Sequence, residues 1–145
     1  MLLISLIDIY FNIMNIKSSK VLVDEANKSI KVMSPEEVKK AYDKGEITLI
    51  DVRDIRELWK EGTIEDSIHI PRGMLEFWLD PQSSYYQEKK IRDLKNIVLF
   101  CALGFRSALA TKTLKDMGFN NVANAYGGFD SLKKAGLPVV GKEKK

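Results

Sequence analysis

Residues 96–118 of the chain read NIVLFCALGFRSALATKTLKDMG. An apolar run at positions 97–100 ends in Cys101. A tight segment follows through Gly104, Phe105, Arg106 and Ser107, and an amphipathic stretch then closes on Lys115, Met117 and Gly118. The spacing predicts a buried strand, a short loop and a helix. A chain built on that unit is constrained to an α/β sheet whose ligand site lies beyond the carboxyl ends of its strands.

The loop has a definite chemistry. Backbone N–H groups at the start of a helix lack partners and converge on the space above the preceding residue, and the helix dipole adds partial positive charge there. Arg106 adds a full charge. Together these favour the thiolate form of Cys101 and would cradle a tetrahedral anion or a sulfur-substituted cysteine. Gly104 lets the backbone turn tightly, and Ser107 is expected to cap the helix or donate one more hydrogen bond. Phe105, inside the loop, is expected to be exposed and able to meet an acceptor molecule or a partner protein.

The rest of the chain alternates in the same way. Residues 18–27 predict a short helix and residues 30–33 a short strand. Ser34-Pro35-Glu36-Glu37 is a capping box with proline in the first turn, and Gly45 is placed to end that helix in a left-handed cap. Residues 47–52 (ITLIDV) read as a buried central strand, with Asp51 at its carboxyl end. A short helix over 55–61 stops at Gly62. Residues 67–70 form another strand, cut off by Pro71. Residues 73–79 and 82–93 read as helical, 121–125 as a last strand and 129–135 as a last helix. Phe77 and Trp78 are expected to lie in the core. Asp51 and Arg53 read as a structural strand-end ion pair, His69 as packing or loop support, and Arg72 as a candidate rim over the active loop.

Composition bounds the alternatives. At 145 residues with 45% hydrophobic and 30% charged positions, the chain is one ordinary globular domain. A net charge of +3 without a basic stripe excludes nucleic acid as an expected partner. One cysteine and one histidine exclude an internal disulfide and a multi-ligand zinc site. A lone thiol fits a reducing compartment, hence a cytoplasmic expectation. Residues 1–16 form an apolar extension, either an amphipathic helix or a start-site artefact preceding Met14. It is too short and too polar for a membrane span. Residues 17–140 form the domain, and residues 141–145 a basic, solvated tail.

Several motifs occur together. Leu49-Ile50-Asp51-Val52-Arg53 is followed by Glu57. Gly62-Thr63-Ile64 precedes Ser67-Ile68-His69-Ile70-Pro71. Cys101-Ala102-Leu103-Gly104-Phe105-Arg106-Ser107 comes next, then Tyr126-Gly127-Gly128-Phe129. In this order, over residues 33–139, the chain resembles the single-domain rhodanese-like sulfurtransferases. The resemblance implies a small three-layer α/β fold, with a mainly parallel central sheet and helices on both faces, and no cofactor or metal. It implies a nucleophile at Cys101 and a substrate cradle from Ala102, Leu103, Gly104, Phe105, Arg106 and Ser107. Asp51, Arg53, His69 and Arg72 stand as supporting candidates. The implied reaction moves a sulfane sulfur from a donor such as thiosulfate or a persulfide to cyanide or a thiol, through a persulfide on Cys101. Ala102 stands where many thiosulfate-using members carry a basic residue, which lowers the local positive charge. The competing readings are a non-catalytic binding or sulfur-relay module and a cysteine-dependent phosphatase or arsenate reductase. The phosphatase loop needs five residues between cysteine and arginine, whereas four separate Cys101 from Arg106.

Overall fold

The computed structural model describes residues 4–91 and 93–145. Residues 1–3 of the apolar extension, and Arg92 within the helix expected over 82–93, lie outside the described residues. The strands are β1 (Lys31–Met33), β2 (Ile47–Asp51), β3 (Thr63–Ile64), β4 (Ile68–His69), β5 (Asn96–Phe100), β6 (Val122–Ala125) and β7 (Val139–Val140). The helices are α1 (Leu6–Met14), α2 (Ser19–Ser29), α3 (Pro35–Asp43), α4 (Ile55–Glu61), α5 (Leu75–Leu79), α6 (Glu88–Ile91), α7 (Phe105–Met117) and α8 (Gly128–Lys134).

Among the described residues, five strands form a sheet in the order β1-β6-β5-β2-β4. Every pairing in it is parallel. β5 lies at the centre, in register with β2 so that Asp51 faces Phe100. Both strands are buried on both faces, which is why they read as continuous apolar runs rather than alternating ones. Ile97, Leu99 and Cys101 point to one face, with Ile50 and Val52 of the neighbouring segment. Val98 and Phe100 point to the other, with Leu49.

Helices cover both faces. On the Cys101 face, α5, α6 and α7 contribute Leu75, Leu79, Ile91, Ala110 and Leu114 to the core. α2 packs on the outside of α7 through Val23 and Ala26 against Ala108. On the opposite face, α3 and α8 supply Val38, Phe129 and Leu132. β3 and β7 make a separate antiparallel pair at the rim.

The local signals act as their chemistry dictates. Ser34 and Glu37 close the capping box of α3. Gly45 and Gly118 take the left-handed conformation that ends α3 and α7. Residues 82–93 differ from the expectation, because only Glu88–Ile91 is helical. Asp80 and Ser83 side chains accept hydrogen bonds from the backbone of Gln82 and Tyr85, and these local turns compete with the helix. Phe77 is 49% exposed rather than core, while Trp78 packs against the core's edge. α1 is capped by Ser5 and Asp8 and has no buried residue.

Candidate active site

Cys101 follows the last residue of β5 at the carboxyl edge of the sheet, and its side chain is 1% exposed. The loop from Ala102 to Gly104 folds back so that two N–H groups donate to its sulfur. Gly104 N lies 3.2 Å and Ser107 N 3.4 Å from Sγ. The Ser107 hydroxyl lies 3.4 Å from the same sulfur. These donors are fixed by the first turn of α7 and would stabilise negative charge on Sγ or on a sulfur attached to it.

The loop's shape depends on two glycines. Gly104 has φ +94°, and a Cβ there would sit 3.3 Å from Gly127 N. Gly128 has φ +71°, and a Cβ there would lie 2.3 Å from the Ala102 carbonyl oxygen. The start of α8 therefore lies directly against the active loop. Phe129 N seals the contact with a 2.8 Å hydrogen bond to the Cys101 carbonyl.

Arg106 does not stand free. Its guanidinium forms a two-pronged pair with Glu57 of α4, at 2.8 and 2.9 Å. The bonded Glu57 carboxylate raises the Arg106 pKa further above its ordinary value. Arg106 in turn holds the Glu57 carboxyl below the usual range. Glu57 also accepts from Asp54 N at 3.0 Å, closing the capping box of α4. One side chain thus starts a helix and holds the loop arginine.

Of the two roles expected of Ser107, capping the helix or donating one more hydrogen bond, the structure shows the second. The N-cap of α7 is Gly104, with no side-chain bond. The Ser107 hydroxyl instead donates to Asn124 Oδ1 at 2.7 Å. Asn124, buried on β6, also donates through Nδ2 to the Gly104 carbonyl at 3.2 Å. Glu57 and Asn124 are the site residues that the sequence reading left unassigned. Glu57 had a signal, its place three residues after Asp54. Asn124 had only the oddity of a polar residue within an apolar strand.

Asp51 and Arg53 form a buried unit beside the site. Both are fully buried, and the Arg53 guanidinium meets both Asp51 carboxylate oxygens, with Arg53 Nη2 2.8 Å from Oδ2. Thr63 donates to Asp51 at 2.7 Å, the Gly62 carbonyl accepts from Arg53 at 2.8 Å, and Glu61 closes the network at 3.1 Å. The Phe129 ring centroid lies 4.0 Å from the guanidinium carbon. His69 Nε2 lies 2.8 Å from the Arg53 carbonyl. Because a carbonyl only accepts, that nitrogen carries the proton. Arg72 is directed elsewhere, to Glu76 at 2.5 Å and to Thr113 Oγ1 at 3.2 Å, well along α7 from the loop.

A parallel sheet with an N–H-lined cysteine loop at its carboxyl edge defines a class of α/β folds that carry a cysteine at a strand-to-helix turn. Residues 34–135 match the family model described as Rhodanese-like domain, and the chain belongs to that family. A sulfurtransferase of Allochromatium vinosum is 27% identical over 101 residues, covering 70% of this chain and 85% of that protein. Four other curated relatives are longer, and the chain spans 34% to 62% of their lengths. Among solved structures, a Rhodopseudomonas palustris protein of unknown function, described as a possible tyrosine phosphatase, superposes with TM-score 0.80 at 40% identity. That match covers 86% of this chain and 95% of the other. The polysulfide-sulfur transferase homodimer of Wolinella succinogenes gives TM-score 0.64 at 34% identity, covering 85% and 87%. Among the described residues no helix is long and apolar enough to cross a membrane.

Proposed function

We propose that the protein is a sulfurtransferase that carries a sulfane sulfur as a persulfide on Cys101. The observation that carries this reading is the pair of N–H donors on Sγ, held by a loop with four residues between Cys101 and Arg106. The Cys101 thiolate attacks the outer sulfur of a donor, thiosulfate in the simplest assay. The donor's S–S bond breaks, sulfite leaves with the electron pair, and a Cys101 persulfide remains. A thiol or cyanide then attacks the outer sulfur, and the Cys101 thiolate departs. Gly104 N and Ser107 N stabilise the negative sulfur at both stages. The lone cysteine leaves no internal thiol to take the sulfur, so the acceptor is a second molecule. We place this chemistry in the cytoplasm, where thiol acceptors are kept reduced.

Intact-mass spectrometry after incubation with thiosulfate and with glutathione persulfide tests the reading. A gain of one sulfur that cyanide removes, and that is absent in Cys101→Ser, is the expected result. No adduct from either donor would leave a non-catalytic binding module as the better account.

The description of the Rhodopseudomonas palustris structure motivates a second reading, phosphomonoester hydrolysis. The short loop argues against it, because a ring with one residue fewer encloses a sulfur atom more readily than a phosphoryl group. Hydrolysis of para-nitrophenyl phosphate at rates dependent on Cys101 would reverse that judgement.

A further inference from the structure

The chain has two tryptophans and one histidine, and all three line a single cavity. It measures about 510 Å³, within the range that holds small organic ligands, and it opens to solvent along β4, the outer strand of the sheet. Ile55 and Trp59 come from α4, Ile68 and His69 from β4, and Trp78 from α5. No residue of the Cys101 loop borders it. α4 stands between the two sites. Glu57 holds Arg106 on one side of that helix, and Trp59, two positions on, faces the cavity from another. The sulfurtransferase reading makes no use of this space.

The border of the cavity is cationic. Lys90 of α6 and Lys142 and Lys145 of the basic tail line it, against one carboxylate, Glu143. Among the described residues none of these three lysines has an ion-pair partner, whereas Lys20, Lys112 and Lys133 are each paired. Ammonium groups lie instead over the indoles. Lys90 Nζ is 4.8 Å from the Trp78 ring centroid, and Lys144 Nζ is 5.2 Å from that of Trp59. At an exposed site such a contact is weak, and a lysine on its flexible stem leaves it readily for an anion. Two flat π faces and a set of uncompensated positive charges therefore share one opening.

We infer that this cavity is a second ligand site, built for a planar aromatic anion: a flat ring that carries a phosphate or a carboxylate. The ring stacks on the indole of Trp59 or Trp78, which accept any flat π system. Lys90 and the tail lysines meet the charge. A neutral apolar molecule leaves the lysines unused, and a bare inorganic anion leaves the indoles unused, so only the combination engages the whole site. His69 Nε2 is committed to the Arg53 carbonyl, and Nδ1 is the ring nitrogen left for a hydrogen bond to the ligand.

Both tryptophans border this cavity, so their fluorescence reports on it, and the single histidine gives one imidazole signal in an NMR spectrum. The test titrates the full chain with AMP, benzoate, adenosine and inorganic phosphate up to about 10 mM, tenfold above the Kd of a millimolar ligand. AMP or benzoate is expected to change the fluorescence saturably and to shift the His69 signal. Binding of AMP alone makes the ligand a nucleotide, and binding of benzoate alone makes it an aromatic carboxylate; either supports the inference. Adenosine, which lacks the charge, and phosphate, which lacks the ring, are each expected to bind at least about fivefold more weakly. Trp59→Leu is expected to weaken binding about tenfold, with Trp78 still reporting, and Lys90→Gln about threefold. Lys90 is exposed, so its variant keeps the fold and decides the matter if Trp59→Leu does not. Arg106→Ala is expected to bind as the wild-type protein does. No saturable response to AMP or benzoate overturns the inference. So does equal affinity for adenosine or phosphate, wild-type affinity in Lys90→Gln, or loss of binding in Arg106→Ala, which would put the ligand at the Cys101 loop. The loading of Cys101 with sulfur is measured separately and is untouched by any of these results.

Discussion

The carbonyl oxygen of the Asn124 side chain accepts a 2.7 Å hydrogen bond from the Ser107 hydroxyl. This ties β6 to the first turn of α7 directly beneath the active loop. The Asn124 amide reaches the Gly104 carbonyl on the other side, so one buried side chain braces both residues whose N–H groups meet the sulfur. Asn124→Ala is expected to lower stability by about 1–3 kcal/mol, since it strands buried polar partners. Transfer should fall further than stability alone explains, because the donors lose their aim. Urea denaturation and single-turnover loading of Cys101 separate the two. Unchanged loading at full occupancy of the fold would show that the brace is structural only.

Arg106→Ala should leave the fold intact, since the pair with Glu57 is partly exposed, at 43% and 31%, and such pairs contribute about 0–1 kcal/mol. It also leaves the Glu57 carboxylate alone at the mouth. Transfer from thiosulfate is expected to fall about ten- to a hundredfold, the worth of one charge-stabilising contact. Steady-state kinetics with thiosulfate check this. Wild-type rates would remove Arg106 from the mechanism.

Arg53→Ala should behave in the opposite manner. Its removal leaves Asp51 fully buried without its cation, which costs about 3–5 kcal/mol. Asp51→Asn and Arg53→Ala combined should be less damaging than the sum of the two, as shared partners require. A double-mutant cycle in urea reads this directly, and strict additivity would deny the pairing.

Asp54 gives a dependence on pH. Its carboxylate accepts from Arg56 N at 2.9 Å and from the Arg56 guanidinium at 2.8 and 3.2 Å. Those bonds, the side-chain one foremost, bring its pKa from 3.8 to about 2. Between these values the unfolded chain binds the proton and the native chain does not, so stability falls as the pH is lowered through that window. Above it the contribution is fully present. The gap in urea midpoint between the wild-type protein and Asp54→Ala should be constant from neutrality down to about pH 4 and narrow toward pH 2. A gap that holds constant to pH 2 would show that the cap's charge adds nothing.

Much of this was legible in the residues. The runs ending in Asp51 and Cys101 gave strand ends whose loops share one edge. The Ser34-to-Glu37 box gave the start of α3, and the order of motifs gave the family. What escaped legibility did so for physical reasons. β3 and β7 are two-residue strands, too short for any periodicity, and their pairing brings together Thr63 and Val140 from far apart in the chain. Residues 82–87 have helix-compatible composition, yet Asp80 and Ser83 capture the backbone first. Arg106 was read as a free cation because its partner, Glu57, stands 49 residues away on a different element, and nothing local in the sequence brings α4 to the loop.

The burial of Cys101 has a practical consequence for labelling. With 1% of the residue accessible, the thiol is sorted by the size of the reagent before it is sorted by reactivity. A slim haloacetamide and a bulky aromatic disulfide should differ in rate far more here than on a free thiol. Hydrogen peroxide, being small, enters this ranking at the top, so the same enclosure that slows bulky labelling reagents leaves the sulfur open to sulfenic acid unless a persulfide already occupies it.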